Sequence, residues 1–157
     1  MESSSEGRCG EIASDLFIIF VTVAQLIFFV FFYQYIAWYT TGPDGSATRL
    51  ALLTDDYFTW LPFPITASII VIVASIVMIV YDRYWFRQIA WIGFCIVGIT
   101  VTLSLLTIFP FDFSVIPNPN TADLVPKLVR GVLVLMAVFY AISIAFLLVK
   151  AIRDAPR

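Results

Sequence analysis

Histidine is absent from this chain, and cysteine occurs only as Cys9 and Cys95. Histidine acid–base catalysis, zinc capture and a disulfide framework therefore lack their raw materials. Charge is scarce too. Only 13% of the 157 residues are charged, 9 Lys and Arg against 11 Asp and Glu, so the broad basic footprint of nucleic-acid binding is missing. Nucleic acid is not expected as a partner. What takes the place of charge is apolar surface: 61% of residues are hydrophobic and 17% aromatic, with a mean hydropathy of +0.97. Such a chain has too little polar side chain to coat a water-soluble globule.

The charges that exist avoid four windows, 16–38, 57–81, 88–111 and 131–149. One membrane crossing needs roughly 20 uncharged, mostly apolar residues, because a helix rises about 1.5 Å per residue and the hydrocarbon is about 30 Å thick. The second window is rich in Ile and Val, which would favour strand in water. In lipid a lone strand leaves its backbone unpaired, whereas a helix satisfies it internally. The expected fold class is all-α: a polytopic integral membrane protein built as a four-transmembrane-helix bundle. Its expected parts are a tail over 1–15, crossings over 16–38, 61–81, 88–109 and 128–149, outer loops over 39–60 and 110–127, an inner loop over 82–87, and a tail over 150–157.

Orientation follows from Lys and Arg. Arg8, Arg83, Arg87, Lys150, Arg153 and Arg157 fall on one side, against Arg49, Lys127 and Arg130 on the other. The positive-inside rule then puts both termini and the inner loop in the cytoplasm, with the cell membrane as the expected location. Trp38, Tyr39, Tyr57 and Trp60 would form an aromatic belt at the outer boundary, and Tyr81, Tyr84, Trp85 and Trp91 one at the inner boundary.

Local signals fill in the loops. Gly42-Pro43-Asp44-Gly45 reads as a turn. Residues 46–53 read as a short interfacial helix, and Thr54-Asp55-Asp56 as a further helix start with capping acids. The prolines of 110–120 impose an extended path along which Phe109, Phe111 and Phe113 alternate, and Thr121 is the expected cap of the last helix.

Within lipid, small and hydroxyl residues mark helix seams. Ser68 and Ser75 share one side of the second crossing, Gly93, Thr100, Ser104 and Thr107 line a stripe on the third, and Ala137, Ala141 and Ala145 repeat every four residues on the fourth. These three faces are expected to meet, and the Thr100/Ser104/Thr107 stripe would line a path if there were one. Gln25 is the amide near mid-membrane on the first crossing and needs a partner. Asp112, flanked by Phe residues, is a candidate contact whose burial would raise its pKa.

No Asp, Glu, Lys, Arg or His falls inside the four windows, which argues against a proton relay or voltage sensor within one subunit. Cys9 and Cys95 are too separated to pair, and the membrane serines have no base to activate them. No catalytic, cofactor or metal residue is assigned. The expectation is a non-catalytic protein of the lipid bilayer, a small subunit, assembly factor or regulator that binds another integral membrane protein or forms a homo-oligomer. A small channel or transporter with a neutral hydroxyl-lined path is the alternative.

Overall fold

The computed structural model describes residues 2–41, 46–81 and 83–153, with side chains from residue 10 onward. The turn expected at 42–45, Asp82 and the side chain of Cys9 lie outside the described residues. The chain is an all-α membrane bundle, 78% helical, with four helices long and apolar enough to span a bilayer. Its elements are α1 (Glu2–Phe31), a 3-10 turn (Tyr33–Tyr35), β1 (Ala37–Thr41), β2 (Ala47–Ala51), α2 (Asp56–Trp60), α3 (Pro62–Val80), α4 (Tyr84–Ile108) and α5 (Pro119–Arg153).

The helices stand as a row. α1 packs on α3, α3 on α4 and α4 on α5, while the short α2 leans on α3 and α4. The first and last helices make no comparable contact with each other, so the row does not close into a ring. Large apolar side chains coat the outside, among them Phe17, Phe20, Val80, Phe139 and Phe146. In lipid this coat carries no hydrophobic penalty, so helix contacts must be held by close packing and by polar or aromatic interactions.

α2 and α3 form nearly one span. Leu61 between them is helical, its N–H bonds to Tyr57 O at 2.8 Å, and Ile65 N–H bonds back to Leu61 O at 3.3 Å. The break falls where Pro62 and Pro64 have no N–H to give, and both prolines sit at the first turn of α3, where a missing donor is harmless.

Three local readings need correction. Residues 46–53 do not form an interfacial helix; Ala47–Ala51 is β2, antiparallel to β1, with Ala37 opposite Ala51 and Tyr39 opposite Arg49. Pairing with the β-favouring Trp38, Tyr39, Thr40 and Thr41 outweighs the helical preference of Ala, Leu and Arg, which is a weak local bias. α1 correspondingly stops at Phe31 instead of running to residue 38, and gains about four turns at its other end, back through the expected tail to Glu2. Thr121 is not the cap of α5: Asn118 Oδ1 accepts the Asn120 N–H at 3.1 Å, so Thr121 lies inside the first turn. At Asp56, where α2 does begin, the Asp55 side chain makes no capping bond.

The hairpin end is tied together by backbone. Leu53 bridges Phe111, with Thr54 N–H to Pro110 O at 3.1 Å and Asp112 N–H to Leu52 O at 2.8 Å. These bonds join the loop after β2 to the loop after α4. Phe109 ends α4 in the left-handed region at φ 43°, a costly conformation for a bulky residue. Its ring is held against Phe111 at 5.6 Å and Phe113 at 6.1 Å, with the Arg130 guanidinium over it at 4.4 Å.

Candidate functional site

The row of helices encloses a cavity of about 470 Å³ with walls from all four long helices. α1 contributes Ile18, Thr22, Gln25 and Phe29; α3 contributes Ala67, Ser68 and Val71; α4 contributes Gly98, Val101 and Thr102; α5 contributes Leu133, Met136 and Tyr140. Among the described residues, none that lines it is charged. At the hairpin end Ile36, Leu53 and Phe111 roof it over. Its open side follows from the packing order: α1 and α5 both line the space but do not close on each other.

Aromatic contacts set the roof in place. Tyr57 and Trp60 are each 3% exposed, so they are core and not members of a boundary belt as the sequence suggested. Tyr57 donates its hydroxyl to Phe29 O at 2.7 Å, stacks on Tyr33 at 5.5 Å and neighbours Trp60 at 5.7 Å, while Trp60 meets Phe29 edge-on at 5.4 Å. Burying a phenol requires a partner for its O–H, and the last turn of α1 supplies a free carbonyl.

The hydroxyls on the cavity wall are occupied. Thr22 donates to Ile18 O at 2.7 Å, Ser68 to Pro64 O at 2.7 Å and Thr102 to Gly98 O at 2.8 Å, each one turn back on its own helix. Two groups differ. Gln25, exposed toward the space, and the Tyr140 hydroxyl make no hydrogen bond among the described residues. Tyr140 is seated by Gly98, where an added Cβ would lie 2.7 Å from the ring. A side chain at that position would displace the Tyr140 ring, so glycine matters there by close approach and not by backbone conformation.

Of the residues singled out in the sequence, the cavity gathers Gln25 and Ser68. Ser75 is fully buried, and its hydroxyl has no partner among the described residues. Thr100 lines a separate groove between α3 and α4, with its hydroxyl on Ile96 O at 2.8 Å. Ser104 donates to Val101 O at 2.8 Å, and Thr107 is shared between Leu103 O and Ser104 O at 3.0 Å each. The stripe is thus satisfied by its own helix and does not line the cavity. An added Cβ at Gly93 would meet open space, and Ala141 and Ala145 are exposed beside a half-buried Ala137, so the three small-residue faces do not meet.

Asp112 is exposed, and its expected pKa shift has the opposite sign. Hydrogen bonding to Ser114, whose N–H reaches Asp112 Oδ1 at 2.9 Å, holds the carboxyl below the ordinary carboxylate range.

Sequence reading missed the polar cluster at the other end. Arg87, at the start of α4, binds Glu11 at 2.9 Å and also pairs with Asp15, both on α1. Asp15 is 1% exposed. The signal was available: Asp15 and Arg87 are the charges that immediately precede the first and third uncharged windows. Beside Arg87 in sequence, Gln88 is buried with neither amide atom hydrogen-bonded among the described residues. Tyr140 and Gly98 were missed as well, although Tyr140 is the one tyrosine in the fourth window.

No family model, no curated protein and no solved structure matches this chain.

Proposed function

We propose that this multi-pass membrane protein is non-catalytic and works by helix–helix contact, as a small subunit, assembly factor or regulator of another integral membrane protein or of a second copy of itself. The observation that carries this reading is the unclosed row, in which α5 is a terminal helix with Ala141 and Ala145 uncovered. Small residues facing lipid gain little there, whereas against another helix they permit close backbone approach. The path-lining alternative is not favoured, since the Thr100/Ser104/Thr107 hydroxyls are engaged by their own backbone.

The test is association. Gently solubilised full-length chain should co-purify reproducibly with one membrane partner, or labelled copies should show energy transfer in liposomes. Ala141→Phe and Ala145→Phe should each weaken that association at least about tenfold, while Phe139→Leu on the opposite face leaves it intact. A chain that stays alone in both formats ends this reading.

The Arg87 end, with both termini, is assigned to the cytoplasm of the cell membrane, supported by the six-to-three division of Lys and Arg. A membrane-impermeant thiol reagent should label Cys9 only from the cytoplasmic face; labelling from outside reverses the assignment.

A further inference from the structure

Three unpaired hydrogen-bonding groups line the cavity, the Trp60 indole N–H, Gln25 and Tyr140, and the last two stand at one depth. Asp15 and Arg87 are joined, so α1 and α4 are in register at that level. Ten residues along α1 from Asp15 is Gln25, about 15 Å away, and eleven along α4 from Arg87 is Gly98, about 16 Å away, at 1.5 Å per residue. Gly98 seats Tyr140. Gln25 and Tyr140 therefore stand near the middle of the membrane, on the two helices that flank the open side. Unpaired polar groups are costly in hydrocarbon, so a partner at this depth is worth far more than at the surface.

The rest of the wall narrows the partner's chemistry. The absence of any charged lining residue selects a neutral molecule. Phe29 and Phe94, each one turn from the level of Gln25 and Gly98, present flat apolar surfaces, which suit a ring. The Gln25 amide and the Tyr140 hydroxyl can each donate or accept, but the Trp60 Nε1–H on the same wall, buried without a partner among the described residues, can only donate, so a ligand bearing acceptors suits all three. The roof of Ile36, Leu53 and Phe111 bars approach from the hairpin end, whereas the α1–α5 gap faces lipid. A volume of about 470 Å³ falls within the usual range for small-ligand pockets, about 300–1,000 Å³.

We propose that the cavity binds a neutral quinone-type lipid, its ring between the aromatic walls, its carbonyl oxygens accepting from Gln25 and Tyr140, and its tail leaving through the α1–α5 gap. Carbonyls on opposite sides of one ring allow the two donors to act from different walls. A saturated acyl chain would fill the same space but leave both donors unpaired.

The probe is decylubiquinone, titrated into the full-length chain in mild detergent, with decylbenzene as the carbonyl-free control. Binding is read by quenching of tryptophan fluorescence in a Trp38→Phe/Trp85→Phe background, which retains Trp60 and Trp91 in the wall. Quenching by the quinone should saturate, and Gln25→Leu and Tyr140→Phe should each weaken it about tenfold, the scale of one well-placed hydrogen bond. Both substitutions leave an apolar group in lipid or keep the ring, and unchanged circular dichroism checks that the fold is retained. Equal quenching in wild type and both variants overturns the proposal, as does quenching that never saturates. Equal affinity for decylbenzene also overturns it and assigns the space to acyl chains. Ala141→Phe should leave quinone binding intact, because Ala141 and Ala145 lie about 100° and 140° around α5 from Tyr140. Failure of the association reading is thereby separable from failure of this one.

Discussion

The two ends of this bundle are held by different physics. At the Arg87 end one guanidinium joins α1 to α4 through Glu11 and the buried Asp15. At the hairpin end the load is spread over stacked rings, one phenol hydroxyl and several backbone hydrogen bonds between loops. A buried charge pair fails all at once when either partner is lost, because the remaining charge is stranded. A ring cluster loses contacts one at a time. The lesson is that a chain with little charge can still stake one helix contact on a single Arg.

Arg87→Leu is the sharpest way to break the contrast. It strands Asp15 and should cost about 3–5 kcal/mol, read as earlier thermal exposure of Cys95 to a thiol dye in detergent in a Cys9→Ser background. Adding Asp15→Leu should return most of that loss; a single mutant as stable as wild type would show that the pair does not hold α1. Gln88→Leu tests the same end with the opposite sign. Removing an amide that is buried without partners should raise stability by about 1–3 kcal/mol, and a fall in the same assay would mean that the amide is satisfied after all. Tyr57→Phe then probes the hairpin end. It keeps the ring stack, loses only the bond to Phe29 O, and should cost about 0.5–1.5 kcal/mol; a loss as large as that of Arg87→Leu would erase the distinction between the two ends.

The crossings were legible because exclusion of charge from hydrocarbon acts on long stretches, and the gaps at 82–87 and 110–127 mark where α3 meets α4 and α4 meets α5. The hairpin was not. Trp38, Tyr39, Thr40 and Thr41 carry strand preference, but they adjoin an apolar run that reads as more helix, and residues 46–53 read as helix until their partner strand is known. At the cavity, Gln25 stood out as a lone amide. Gly98 and Tyr140 did not, because their meaning lies in a contact between α4 and α5 that no spacing within either helix encodes. The Thr100/Ser104/Thr107 stripe showed the converse error: periodicity gives the face on which a hydroxyl lies, not the carbonyl that already holds it.

The length of α5 has a separate consequence. Its 35 residues extend about 52 Å, whereas hydrocarbon is about 30 Å thick, and its uncharged stretch begins only at Gly131. The twelve residues from Pro119 to Arg130 therefore rise about 18 Å as a post, braced at its foot by the Arg130–Phe109 contact and missing one ladder hydrogen bond at Pro126. Height above the headgroups becomes a built-in dimension of the molecule, and deleting one turn from the post would lower its tip by about 5.4 Å without touching the part immersed in lipid.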